Sequence, residues 1–231
     1  MWFNCATFSL ESIDMLRSKN SILVCLAAVV LFAATTAFAS DTAEAIKQRI
    51  GSGNPVAGKS KSELCQGCHG EDGNSLEGLI PKLSGQYSVY ISKQFRNFQT
   101  GAREHQIMSA MSVIISDAEL VDIVAYFASQ KQMSGNGKGG NQFAKNLFSK
   151  GDKARNILPC ESCHGVNGKG KAPNIATYPV IGGQHKAYLH AQLINWRSGE
   201  RSNSPDGVMN KITKSLTDAE IDTLADYISG L

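Results

Sequence analysis

The sequence predicts an all-α fold of two tandem domains, on three observations. Apolar residues recur at helical spacing, and no period-two stretch suggests a strand. Tyr90, Gln94, Gly101 and Arg103 return as Tyr188, Gln192, Gly199 and Arg201 at a constant offset of 98 residues. Ile115-Ser116-Asp117 through Tyr126 returns as Leu216-Thr217-Asp218 through Tyr227 at an offset of 101. Two copies, each long enough for its own core, read as tandem domains rather than a solenoid.

The first 39 residues stand outside that repeat. Arg17 and Lys19 precede an apolar run from Ile22 to Phe38 that closes with Ala37-Phe38-Ala39. These are the three parts of a secretory signal peptide. Cleavage after Ala39 is favoured over retention as a membrane anchor, and Met15 is a candidate start codon. The protein is therefore expected in the periplasm. Domain 1 is assigned to residues 40–134, a Gly-rich linker to 135–140 and domain 2 to 141–231. Residues 40 to 57 read as an extension before the first domain's helices.

Within each copy the helices announce themselves. Ser116-Asp117-Ala118-Glu119 and Thr217-Asp218-Ala219-Glu220 are caps with acidic first turns. Leu120, Ile123, Val124 and Phe127 follow the first cap at helical spacing, and Ile221, Leu224, Ala225 and Ile228 follow the second. Tyr87 to Phe98 and Lys186 to Trp196 form middle helices, closed by Gly101 and Gly199. Phe143 to Lys150 opens domain 2. Ser134 to Gly140 contains too much glycine to pack and reads as a flexible connection.

Loss of the leader removes Cys5 and Cys25 and leaves Cys65, Cys68, Cys160 and Cys163. Four cysteines in an exported chain suggest two disulfides, but each pair is followed by a histidine. Cys65-Gln66-Gly67-Cys68-His69 and Cys160-Glu161-Ser162-Cys163-His164 both read C-x-x-C-H, the pattern of covalent haem attachment. Two thiols on one helical turn add to the two vinyl groups of a porphyrin, and the next residue ligates the iron. Zinc sites space their histidines well away from the cysteines, and a thioredoxin-like site needs a strand context that is absent. Two covalently bound haem c groups are the expected cofactors.

The sixth iron ligand follows from the repeat. Electron carriers close that position with Met, which raises the potential. At the offset of 101, Met108 falls on Met209 and Met111 on Ile212, so His69, Met108, His164 and Met209 are the expected metal ligands. A Met is often ordinary core filler, but the matched position in both copies argues for ligation. His105, His185 and His190 have no histidine counterpart at the repeat offset. Pro81 and Pro179 are assigned the carbonyls that accept the other ring N–H of each ligating His.

These residues give the chain its resemblance to the cytochrome c4 family. The likeness rests on both C-x-x-C-H-G segments, the Ser84-Gly85-Gln86 and Gly182-Gly183-Gln184 turns, Met108, Met209 and the helix end Ala125 to Gln130. It implies two tandem class I cytochrome c-like domains, each wrapped around one haem, and a periplasmic shuttle of single electrons toward a terminal oxidase or reductase. The same two-domain form resembles the cytochrome subunit of flavocytochrome c sulfide dehydrogenases, where the partner is a flavoprotein. A quinol-oxidising complex and peripheral contact with the membrane complete the expected partners.

No catalytic residue is expected, because two His/Met haems leave no open coordination position. Charge excludes nucleic acid as a partner. Residues 40–134 carry 9 Lys+Arg and 10 Asp+Glu, and residues 135–231 carry 12 and 8. Four haem propionates bring that modest surplus close to neutrality.

Overall fold

A computed structural model describes residues 51–139, 141–171 and 178–231. The leader and its cleavage site lie outside the described residues. Among the described residues ten α-helices form in the order α1 Pro55–Lys61, α2 Glu63–His69, α3 Ser88–Thr100, α4 Gln106–Ser112, α5 Asp117–Ser129, α6 Gln142–Lys150, α7 Glu161–His164, α8 Lys186–Ser198, α9 Val208–Thr213 and α10 Asp218–Gly230. Among the described residues there is no strand, only one isolated bridge between Asp152 and Ile157. No helix among them is long and apolar enough to cross a membrane.

Each copy closes on its last helix. Ser116 and Thr217 cap α5 and α10 by complete capping boxes, with Glu119 and Glu220 reaching back to the cap N–H. These boxes fix two orphan amide donors apiece. Gly101 and Gly199 end α3 and α8 in the left-handed conformation, at φ 74° and 89°. In the first copy α1 and α3 pack on α5; in the second, α6 and α8 pack on α10.

Helix α1 corrects the part of the extension reading that falls on residues 55–57; residues 40–50 lie outside the described residues. Its segment lacks an apolar stripe, yet it packs against α5 through glycine. A Cβ at Gly53 or Gly58 would lie 2.0 Å from the carbonyl oxygen of Val121 or Asp122, respectively. Asn54 caps α1, accepting from Val56 and Ala57 N–H, while its own N–H donates to the Asp122 carboxylate at 2.7 Å.

The connection between copies is likewise seated rather than loose. Gly135 N–H donates to the Leu231 carbonyl at 2.6 Å and Gly137 N–H to the Gly230 carbonyl at 2.9 Å. A Cβ at Gly230 would meet the Lys138 carbonyl oxygen at 2.6 Å. Glycine here permits two backbones to touch.

The two copies form one compact unit. Tyr87, Met133 and Val180 make a buried apolar centre between them. Gln86 bonds both backbone groups of Val180, and Gln184 does the same to Lys82. Lys82 Nζ donates to the Gly183 carbonyl and Lys169 Nζ to the Met133 carbonyl. His185 reaches across to Ser75.

Candidate functional site

The C-x-x-C-H segments occupy short helices that end on the histidine. Helix α2 carries Cys65, Cys68 and His69, and α7 with its N-cap Cys160 carries Cys163 and His164. The next residue is glycine in both, Gly70 at φ 86° and Gly165 at φ 77°. A Cβ on Gly165 would lie 2.1 Å from the Gly170 carbonyl oxygen. The turn therefore admits only glycine, and it sends the chain back toward the imidazole.

The returning chain brings a proline carbonyl to each ring. His69 Nδ1 lies 2.9 Å from the Pro81 oxygen and His164 Nδ1 lies 2.9 Å from the Pro179 oxygen. Donation from Nδ1–H leaves Nε2 as the lone-pair nitrogen and fixes the ring's orientation. Both imidazoles are buried, and burial pulls their pKa below the ordinary histidine value. They are held neutral, the form that can donate to a metal.

In the second copy these groups face a cavity with apolar walls. Cys160, Cys163 and His164 line one part of it, and Met209 of α9 lines it together with Leu193 of α8 and Leu224 of α10. None of the four cysteines among the described residues is tied up in a disulfide. Burial raises the Cys160 thiol to about 12. Apolar walls, two thiols, one neutral imidazole and one thioether form the donor set that a covalent haem requires.

The first copy arranges the same residue types around its core. Cys65 packs on Ile123, Tyr126 and Phe127, while Met108 packs on Phe95, Leu120 and Val124. Ile91 and Ile115 touch both groups, so the cysteine side and the methionine side share one apolar region. Ile212, the counterpart of Met111, forms part of the cavity wall in the second copy. His105 acts as the α4 N-cap, its Nδ1 accepting from Met108 N–H at 3.3 Å.

The sequence pattern does not foretell the contacts between copies. Met133 is only 2% exposed, in the centre of that junction, and its sulfur accepts from Gln184 Nε2 at 3.7 Å. The polar residues repeated at offset 98 were the available signal for this junction.

The cytochrome c family model matches residues 56–131 and 144–231. Cytochrome c4 of Pseudomonas aeruginosa is 39% identical over 182 residues, spanning 78% of this chain and 89% of that protein. The thiosulfate dehydrogenase electron acceptor of Stutzerimonas stutzeri strain A1501 is 31% identical over 186 residues, spanning 78% and 82%. The crystal structure of reduced recombinant cytochrome c4 from Pseudomonas stutzeri aligns with a TM-score of 0.72 at 34% identity, covering 78% of this chain and 100% of that one.

Proposed function

Because the chain belongs to the cytochrome c4 family and is an electron carrier with two covalent haem c groups, we propose that His69 and Met108 hold one iron and His164 and Met209 the other. Cys65 and Cys68 would attach the haem of the first copy and Cys160 and Cys163 that of the second. When bound, each haem would supply a one-electron couple. Pro81 and Pro179 keep each imidazole in one tautomer and one plane. The apolar walls exclude water from the site.

The observation that carries this reading is the shared cavity of Cys160, Cys163, His164 and Met209. Domain 1 spans residues 40–134 and domain 2 residues 141–231, after removal of a leader comprising residues 1–39. The protein then works in the periplasm, passing electrons toward a terminal oxidase or reductase. A second reading has it accept electrons from a sulfur-oxidising dehydrogenase; the likeness to the thiosulfate dehydrogenase electron acceptor supports this.

The test is a pyridine-haemochrome assay with a redox titration on the purified, exported protein. Two haems per chain and the weak near-infrared band of two Fe–S(Met) bonds are expected. One haem, or high-spin features in the resting protein, would refute the ligand set. Stopped-flow reduction by a thiosulfate dehydrogenase and oxidation by a terminal oxidase separate the two partner readings.

A further inference from the structure

Helix α8 of the second copy begins by gripping a loop of the first. Its N-cap is His185, whose Nε2 lies 2.9 Å from both the hydroxyl and the carbonyl oxygen of Ser75. The Ser75 hydroxyl itself donates to the Ile80 carbonyl at 2.6 Å. Both Ser75 oxygens can therefore only accept from His185, and Nε2 carries the proton.

The gripped loop is the one that returns from His69 to Pro81, whose carbonyl oxygen stands 2.9 Å from His69 Nδ1. It has little packing of its own. Leu76, Glu77 and Leu79 are exposed and Ile80 is half-buried, whereas Ser75 is buried at 3% exposure. Ser75 is thus the side chain by which this loop is anchored. Its hydroxyl holds the Ile80 carbonyl, immediately before Pro81, and Gln184 holds both backbone groups of Lys82, immediately after it. Two consecutive residues of the second copy, Gln184 and His185, thereby fix the chain on either side of the Pro81 carbonyl.

The opposite approach is made by Tyr87, the counterpart of His185 at the offset of 98. A Cβ on Gly170 would lie 2.1 Å from the Tyr87 hydroxyl, and Gly170 N–H donates to the His164 carbonyl at 2.6 Å. The position that precedes each middle helix therefore reaches the histidine loop of the other copy. Only in the first copy's loop is the visitor an imidazole bonded to a buried serine.

We propose that His185 is a positioning residue for His69, holding the Pro81 carbonyl in place through Ser75, so that the second copy sets the potential of the first copy's haem. This rests on the reading that each copy carries a haem. An imidazole that donates from Nδ1 to a carbonyl is a stronger ligand through Nε2, and a stronger donor favours the oxidised iron. Loosening the Pro81 carbonyl weakens that donor and raises the potential of the His69 haem alone.

The experiment is a redox titration of exported wild-type, H185L and H185Q holoprotein at pH 8, where His185 is neutral because burial holds its pKa below 6.5. Each haem is assigned by the NMR signals of its Met108 or Met209 methyl group. One haem per chain in the wild type would sink the underlying reading without involving His185. Arg103 and Arg201 also tie the copies together, through Gln192 and Gln94, so H185L should keep its junction. A direct partner of a ligating histidine is typically worth tenfold or more. His185 acts one residue further out, so H185L should raise the potential of the His69 haem by roughly threefold in the redox equilibrium, ~28 mV for a one-electron couple. The same variant should speed solvent exchange of the His69 Nδ1 proton in the reduced protein and leave the His164 haem unmoved. H185Q keeps an N–H donor at the end of its side chain and should restore both readings. No shift in H185L, an equal shift at both haems, or a shift in H185Q as large as that in H185L overturns the proposal. If H185L does not retain its haems, S75A decides: a rise confined to the His69 haem supports the proposal, and an unchanged potential refutes it.

Discussion

Gln86 clasps Val180 across the junction of the two copies. Its Nε2 donates to the Val180 carbonyl at 2.8 Å and its Oε1 accepts from Val180 N–H at 2.9 Å. Gln184 repeats the clasp on Lys82, at 3.0 Å to the carbonyl and 2.9 Å from the N–H. Because Lys82 and Val180 are repeat counterparts, as are the two glutamines, the junction has an approximate two-fold relationship within one chain.

Gln86→Leu is expected to cost about 1–3 kcal/mol, because it leaves a buried N–H and carbonyl of Val180 without partners. Urea unfolding followed by circular dichroism measures this. The double variant Gln86→Leu/Gln184→Leu should unfold in two phases, as the copies lose their fixed relation. A single sharp transition at the wild-type midpoint would remove the clasp from the stability argument.

Met209→Ala should open the haem of the second copy, and Met111→Ala should leave both closed. Met209 lines the cavity with His164, and the position matching Met111 is filled by the wall residue Ile212. Carbon monoxide binding to the reduced protein reads the outcome. A ligand-binding haem in Met111→Ala would show that the wrong methionine of α4 had been chosen.

Removing the haem should unfold the chain. Each copy is short for a self-sufficient core, and without the haem the apolar walls of the cavity lose what they pack against. Typical domain stability is only ~5–15 kcal/mol. Expression without the thioether-forming machinery, or Cys160→Ala/Cys163→Ala, should yield a protein with little of its helical signal in the far ultraviolet. Native helicity in haem-free protein would refute this.

Stability should fall on mild acidification through His185. Its Nε2 lies 2.9 Å from the Ser75 oxygen of the other copy, and burial, with a smaller push from Lys82, lowers its pKa below 6.5. The unfolded state therefore binds this proton more readily than the native one. The contribution is complete above pH 6.5 and declines as pH drops from there toward the native pKa. Urea midpoints at pH 7.5 and 5.5 should differ less in His185→Asn than in the wild type. Equal differences in both proteins would rule His185 out.

What the sequence made legible were features carried by local rules. The cap at Ser116 with Glu119 three residues on, and its copy at Thr217 with Glu220, specify helix starts whatever they pack against. The left-handed glycines Gly101 and Gly199 specify ends in the same way. Helix α1 was not legible, because it packs through Gly58 and through Gly53 just before its cap, and glycine counts against a helix in any propensity scale. The 135–139 connection misled for the same reason: glycine in it signals close backbone contact as well as freedom. The arginine and glutamine contacts were invisible because each runs to the other copy, and nothing in a linear repeat states which faces meet. Their trace was the recurrence of Tyr90, Gln94 and Arg103, polar residues repeated without a local task.

The two helix pairs that close the copies obey opposite rules of substitution. Between α1 and α5 there is no clearance, since a methyl group on Gly58 would sit 2.0 Å from the Asp122 carbonyl oxygen. Between α6 and α10 the spacing is set by bulk, with Phe148 and Tyr227 meeting edge to face at 5.6 Å. Growth is forbidden at residue 58, whereas Phe148→Ala, a shrinkage, costs about 3–5 kcal/mol. The opening helices of the two repeats are therefore not interchangeable parts. A chimera carrying α6 in place of α1 would hold its closing helix too far away, and one carrying α1 in place of α6 would leave a hole beneath Tyr227.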